Sequence, residues 1–471
     1  MAADNPRLPA RRLDAHGVAH VDGRAILALA VPLVINSLLQ SLLGLTDTWF
    51  IGQLSTEAMA AMGAIYFLVL VFVIFFAGVS FAVQTLVAQA YGAGRYRRAS
   101  KAVWSGLYAS LATLPMFALV ALGGRTLLSP FGLPADVEAL AIAFWEPRLL
   151  GGPLAAALWA VLGFFNGIGQ TRVTLAVTAV VAVANVFFNQ WLIFDLGLGI
   201  AGSAWATNIA QAIGLVLSMA AFVVHEPRKY RPLQTLRPRL REVWRNFRLG
   251  IPMALMGTVD LGAGALFQLM QVRVGVVEGA ASQIAMMLTS LAYSPGYGLA
   301  MVGTTLVGQS IGAGDRDWAA KLGNRMILIC MCFMGGVGFA IALAGPWLVP
   351  LFVSAGDPAA PRVVSLALTL LWIGACYQLF DGLNFSSGAA LRGAGDATLP
   401  SALVLALAVG LLLPLTHVLT FAPGQGWIDA LPALGYGAPG GWVALIAYVV
   451  ALGLALFARW HSGAWRRIRL G

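Results

Sequence analysis

The chain has 471 residues, of which 59% are hydrophobic and only 10% charged, and its mean hydropathy is +0.83. That composition excludes a soluble globular domain and marks an integral membrane protein. The net charge of +10 does not point to nucleic acid, because in a membrane chain the placement of charge says more than its total.

Residues 1–25, MAADNPRLPARRLDAHGVAHVDGRA, are polar with no apolar core before Ile26, so they read as a cytoplasmic tail and not as a cleaved leader. Apolar runs then recur as far as Trp460, and only helices satisfy their own backbone at that density in lipid. Polar and Gly/Pro breaks give twelve segments, starting near residues 26, 58, 99, 137, 171, 200, 246, 280, 319, 361, 397 and 436. The first carries Asn36, Gln40 and Asp47 on one face. The fourth holds Glu146 and Arg148 in FWEPRLLGGP, read as structural, either neutralising each other or sitting in a broken helix start before Pro153, and the fifth aligns Thr178, Asn185 and Asn189. After the sixth comes HEPRKYRPLQTLRPRLREVWRNFR, a basic bridge between halves whose charge also suits anionic headgroups. The seventh segment aligns Gly257, Asp260, Gly264, Gln268 and Gln271. The eighth has Gln283, which serves either as helix glue or as a ligand, and SPG at Ser294–Gly296, a hinge or a proline kink. Along the tenth, Gly374, Tyr377, Gln378, Asp381, Asn384 and Gly388 recur at spacings of three and four.

With the N-terminus inside, the inward side collects the basic residues of Arg7–Arg24, Arg95–Lys101, Arg172, Arg228–Arg248, Arg316–Arg325, Arg392 and Arg459–Arg469. Only Arg125, Arg148, Arg273 and Arg362 are left over. This bias predicts cytoplasmic termini. Repeats set the architecture. VAQAYGAG (Val87–Gly94) returns as VGQSIGAG (Val307–Gly314), and LAVPL around Pro32 returns as LGIPM around Pro252, both 220 residues on. NGIGQT (Asn166–Thr171) is echoed by RGAGDA (Arg392–Ala397) six residues further out of step. The expected fold is therefore all-α and integral to the membrane, with twelve transmembrane helices in two six-helix bundles related by a parallel pseudo-two-fold repeat. The expected divisions are a tail at 1–25, bundles at 26–224 and 246–460, a linker at 225–245 and a basic tail at 461–471.

A carboxylate in mid-membrane costs about 2.5–3.5 kcal/mol on insertion scales, so Asp260 and Asp381 read as functional. Position leaves Asp47 open between a site and a wetted helix end. Of the aromatic residues, Tyr377 is singled out because it lies one turn before Asp381, whereas Tyr293, Tyr297 and Trp372 read as packing. Three scattered cysteines and five scattered histidines offer no disulfide framework or zinc cluster, and no compact catalytic constellation points to an enzyme.

The repeated motifs, LTDTWFIGQLSTEAMAAMG, NVFFNQWLIFDLGLGIAGSAWAT and AALRGAGDATLP together resemble the multidrug and toxic compound extrusion (MATE) transporters over nearly the whole chain. The resemblance implies secondary efflux of organic cations or amphipathic drugs in exchange for Na+ or H+, with no other cofactor, by a monomer in the cytoplasmic (inner) membrane of a bacterium. It implies Asp47, Asn185, Asn189 and Thr207 as one set of site residues. Similarity to the NorM-like branch implies Asp260, Tyr377 and Asp381 as a second set and as candidate Na+ ligands. Gln283 completes the candidate residues. The sequence departs from that branch in having Asp at 260 where Glu is usual, and Asn189 stands where some relatives have Asp. A lipid-linked oligosaccharide flippase of related fold is the alternative, although it calls for a basic cavity. A multispanning transferase is the alternative of a different class.

Overall fold

Residues 8–131, 134–237, 239–353, 358–428 and 431–468 are described by a computed structural model; Arg7 and Arg469, both expected on the inner side, lie outside them. The segments are α1 (Gly23–Gly52), α2 (Glu57–Gly92), α3 (Tyr96–Leu122), α4 (Ala135–Leu150 and Gly152–Ile168, bent by 41°), α5 (Thr171–Asp195) and α6 (Gly199–Val224). The second half holds α7 (Leu240–Val274), α8 (Val276–Gly312), α9 (Arg316–Phe352), α10 (Ala360–Ala394), α11 (Thr398–Thr420) and α12 (Gly437–His461). The largest departure from the expected starts is at α7, which begins at Leu240 and not near residue 246. All but α8 are apolar enough to span a bilayer by composition, and α8 can be less so because most of its surface is buried by other helices.

Two of the three repeat motifs are turns at which helices stop, whereas Pro32 and Pro252 lie inside α1 and α7. Gly94 and Gly314 have φ of +67° and +87°, and Gly169 and Gly395 have φ of +85° and +84°, a left-handed conformation that strains any residue with a Cβ. Those four turns meet at one end of the molecule and join the halves there through matched hydrogen bonds. Gln89 Nε2 donates to the Gly393 carbonyl (2.9 Å) and Gln309 Nε2 to that of Gly167 (2.8 Å). Thr85 Oγ1 donates to the Arg392 carbonyl (3.0 Å) and Thr305 Oγ1 to that of Asn166 (2.9 Å). The displacements of 220 and 226 residues found in the sequence relate each bond to its mate. The backbones nearly touch, since a Cβ on Gly92 would collide with the Gln309 carbonyl and one on Gly312 with the Gln89 carbonyl.

Further along, α1 crosses α8 and α2 crosses α7 in the same symmetric way, with Gly298 against the Leu33 carbonyl and Gly78 against Ala254. On α8 this contact ends at Ser294, whose hydroxyl meets that of Ser41 at 2.8 Å. Beyond it the same face of α8, with Gln283, Met287 and Ser290, is exposed, and so are Gly63 and Phe67 on the corresponding face of α2. The halves are therefore sealed at one end and part toward the other.

Both termini lie at the sealed end. The segment read as a free tail forms a hairpin, β1 (Arg11–Leu13) with β2 (Ala19–Val21), and it is tied to α9. Trp318 Nε1 donates to the Pro9 carbonyl (3.0 Å) and Lys321 Nζ to that of Ala19 (2.9 Å). Asp22 then caps α1 by accepting from the Arg24 amide at 2.9 Å. At the other terminus, Trp465 stacks on Trp460 with ring centroids 4.4 Å apart, and Arg466 pairs with Asp317 at 2.7 Å. The linker is not a loose bridge either. Tyr230 is buried against Phe164, Trp104 Nε1 donates to the Pro232 carbonyl (2.9 Å), and the Ser100 and Thr235 hydroxyls meet at 2.7 Å, so the linker packs on the first half. The SPG motif neither breaks nor ends α8, which runs through a buried Pro295. Cys330, Cys332 and Cys376 are all free.

The glycine contacts predict that Gly92→Ala and Gly312→Ala each disfavour the sealed state by about 1–3 kcal/mol, the usual cost of overpacking. Distances between spin labels at the exposed Arg95 and Arg316 should lengthen in both variants. They should stay unchanged in Gly262→Ala, where an added Cβ meets nothing within 4 Å.

Candidate functional site

Each half holds one acidic cluster. In the first, Asp47 on α1 is 9% exposed and receives donors from two neighbouring helices. Its Oδ1 accepts from Asn189 Nδ2 (2.7 Å) and Asn185 Nδ2 (3.0 Å), one turn apart on α5, and its Oδ2 accepts from Thr207 Oγ1 (3.0 Å) on α6. Asn189 Nδ2 also donates to Asn185 Oδ1 (3.1 Å), which fixes the orientation of both amides. A buried carboxylate holding three donors is a satisfied group. Asn36 lies buried on the same helix with an unpartnered Oδ1, while Gln40 is exposed.

The second cluster is different. Asp381 on α10 is 3% exposed; its Oδ1 accepts only a long bond from Asn384 (3.4 Å), and its Oδ2 is buried with no partner. Asp260 on α7 is half-buried, accepts a bond from Tyr448 OH (3.4 Å) and lies within electrostatic reach of Asp381. The Tyr377 hydroxyl sits beside Asp381, and Tyr293 on α8 faces both carboxylates. Tyr293 is 38% exposed, so the cluster has an open side. Two carboxylates, one with an orphaned oxygen, lie among Tyr293, Tyr377 and Tyr448, so this cluster, unlike the first, keeps an unsatisfied acceptor.

The remaining polar stripe of α10 is packing. Gln378 Nε2 donates to the Thr289 carbonyl (3.0 Å), Gly374 lies against Thr289 and Trp442, and Gly388 lies against Met256. Gln268 and Gln271 serve the far end of the second half: Gln268 Nε2 donates to the Gly279 carbonyl (3.3 Å), and Gln271 Oε1 accepts from Ser282 (3.5 Å). Trp372 packs on Phe339, and Tyr297 packs with Tyr293 on Phe385. Gln283 joins neither cluster; it stands on the exposed face of α8 where the halves part. Among the described residues no group of three or more His, Cys, Asp or Glu is arranged to hold a metal. Two contributors escaped sequence reasoning. Tyr448 is a lone tyrosine in an apolar run and carries no signal of its own. Arg148 pairs with neither Glu146 nor Asp47, although it lies within electrostatic reach of Asp47 and Tyr66, and sidedness alone had pointed to it as one of four stray cations.

Residues 32–191 and 252–418 match the sequence model of the MatE family, two matches that start 220 residues apart, at Pro32 and Pro252. The chain belongs to the MatE family. The matched MatE stretches contain Asp47, Arg148, Asn185, Asn189, Asp260, Tyr377 and Asp381, and leave Thr207 and Tyr448 outside. Among its relatives are the probable multidrug resistance protein NorM of Pseudomonas putida, 30% identical over 95% of each chain, and the multidrug resistance protein NorM of Burkholderia vietnamiensis, 30% identical over 92% of each. The MatE fold is shared with a solved outward-facing multidrug resistance MATE family transporter of the MOP superfamily. It has a TM-score of 0.80 and 17% identity, covering 94% of this chain and 96% of that one. A MATE structure in the straight conformation gives a TM-score of 0.81 at 18% identity with the same coverage.

The geometry of the first cluster predicts that Thr207→Val, which removes one hydrogen bond to a buried carboxylate, costs about 1.5–3 kcal/mol. It should lower the thermal unfolding midpoint of the detergent-solubilised protein. Thr207→Ser, which keeps the hydroxyl, should restore most of the loss.

Proposed function

We propose that this MatE protein is a secondary exporter that expels cationic or amphipathic drugs in exchange for Na+ or H+. The observation carrying this reading is the Asp260–Asp381 cluster with its unpartnered carboxylate oxygen, bordered by tyrosine rings and set where the halves part. The names of the NorM relatives support the drug-efflux half of the reading. The sealed end carries both termini and the basic residues Arg95–Lys101, Arg172, Arg316–Arg325 and Arg392, so by the positive-inside rule it is the cytoplasmic side. The protein then sits in a bacterial inner membrane as a monomer, and the parted side faces outward.

Exchange follows from competition for the same negative charge. When the site faces the cytoplasm, ionised Asp260 and Asp381 and the tyrosine faces attract an organic cation. When it faces outward, sodium or a proton neutralises the carboxylates and the drug departs. Asp260, Asp381 and the Tyr377 oxygen are the groups that would hold sodium; their oxygen chemistry suits a hard cation, and the shorter Asp at 260 gives less reach than Glu. A membrane potential contributes about 2.3 kcal/mol per charge per 100 mV to inward cation movement, so it drives the exchange only where more positive charge enters with the ions than leaves with the drug.

The test is efflux of ethidium from proteoliposomes under a sodium gradient and, separately, a proton gradient. Wild type should export under at least one, and Asp381→Asn and Asp260→Asn should each lose at least tenfold in rate under it. No gradient-driven efflux by wild type would refute the exporter; normal efflux by both variants would refute the site.

A further inference from the structure

The two helices that cross between the halves, α1 and α7, each start from a strap that rests on the other half. Ahead of α7 the linker lies on α3, where Trp104 Nε1 donates to the Pro232 carbonyl at 2.9 Å and the Ser100 and Thr235 hydroxyls meet at 2.7 Å. Ahead of α1 the β1–β2 hairpin lies on α9. There Trp318 Nε1 donates to the Pro9 carbonyl at 3.0 Å and Lys321 Nζ to the Ala19 carbonyl at 2.9 Å. In both straps an indole from the third helix of the opposite half holds a proline carbonyl. The two straps are not equally free. The linker is continuous with α6 of the half on which it rests, whereas the hairpin is joined to α9 by noncovalent contacts alone. Those contacts are few: the two hydrogen bonds, one of them from an exposed lysine, and Leu8, which is buried in one apolar cluster with Trp318 and Leu322 of α9 and Ile26 of α1.

The junction between hairpin and helix has no slack. The Asp22 amide donates to the Ala10 carbonyl at 2.8 Å and so closes the hairpin, while the Asp22 carboxylate caps α1 by accepting from the Arg24 amide. Helix α1 packs on α5 of its own half and on α8 of the other. A separation at the sealed end that carries α1 away with α5 must therefore pull the hairpin off α9 or unwind the turn at Asp22. We propose that residues 8–22 form a releasable strap that holds the sealed end shut, with Trp318 and Lys321 of α9 as its catch. The contacts suit that work. Hydrogen bonds to backbone carbonyls and one buried leucine can be made and broken as a local unit while the helices stay folded. The linker, fixed to its own half by the chain, keeps α7 in place as the strap comes and goes.

The experiment reads a distance, so its result stands whether or not the protein exports drugs. Spin labels are placed on cysteines at the exposed Arg97 of α3 and Arg325 of α9, in full-length protein carrying Cys332→Ser and Cys376→Ser, and the spacing is followed in lipid nanodiscs by pulsed electron paramagnetic resonance. Trp318→Phe/Lys321→Met, which removes both donors of the catch, should raise the population with parted labels at least threefold. Gly-Ser-Gly-Ser inserted between Val21 and Asp22 should do the same, because it slackens the tie while leaving the donors on α9 and the cap on α1 in place. Lys321→Arg, which keeps a donor, should match the unsubstituted chain. An unchanged distance distribution with the insertion would overturn the proposal, as would parting in Lys321→Arg as large as in the double variant. If Trp318→Phe/Lys321→Met does not fold, the insertion decides.

Discussion

The rest of the structure depends on one close approach: the ends of helices from the two halves meet backbone to backbone at Gly92 and Gly312, with Gln89, Gln309, Thr85 and Thr305 donating across the seam to helix-end carbonyls. Helix C-termini leave carbonyls unsatisfied, and in a membrane protein water is scarce there. Each half supplies the donors that the other half's helix ends lack. That reciprocity explains why the motifs containing these residues are the ones that recur most clearly in the sequence. A drift in one copy orphans carbonyls in the other.

A symmetric seam supports an asymmetric pair of sites. In both halves a helix that crosses the seam carries an aspartate farther along, Asp47 on α1 and Asp260 on α7, and in both a neighbouring helix of the same half completes the cluster. In the first half the completing groups are two amides and a hydroxyl, whose three donors saturate one carboxylate. In the second they are another carboxylate and three tyrosines, which do not. The clusters do not stand at equivalent positions, since the 220-residue displacement carries Asp260 onto Gln40 and not onto Asp47, and their side chains decide what each can hold. A satisfied carboxylate resists leaving its partners, whereas an unsatisfied pair invites a mobile cation; the two halves are suited to different parts of one cycle.

Most of the architecture was legible because membrane constraints are written in composition. Apolar runs gave twelve helices, and the 220-residue displacement gave the repeat. Asp260, Asp381 and Asp47 stood out because a bilayer makes each one costly. The groups around them were harder to read. Tyr448 and Arg148 reach their clusters only through the packing of α12 and α4 on other helices, and the bend at Gly151, which aims Arg148, comes from a contact with Asn208 more than 50 residues away in sequence. The terminal hairpin was missed because RRL and AHV are too short and polar to signal strands; what holds them is α9, which lies 300 residues later.

The chemistry of the seam also suits the work required of it. Reversing a two-state equilibrium from 1:99 to 99:1 takes about 5.5 kcal/mol of differential binding. The four matched hydrogen bonds, each worth about 0.5–1.5 kcal/mol net, sum to a figure of that size, and further bonds between the halves, from Gln84 to Met301 and Thr305 and between Ser41 and Ser294, are neutral too, whereas buried ion pairs cost several kcal/mol to break. A seam of amides, hydroxyls and glycines can therefore be opened by the binding of one ion or one drug at a distant cluster. One ion pair at the sealed end crosses between the halves, Lys101 of α3 with Glu242 of α7 at 3.7 Å, and because both side chains are partly exposed it is worth only about 0–1 kcal/mol; Arg459–Asp396 and Arg466–Asp317 tie elements of the second half together. Weak bonds hold the bundles to each other, which is the distribution that rigid-body rocking needs.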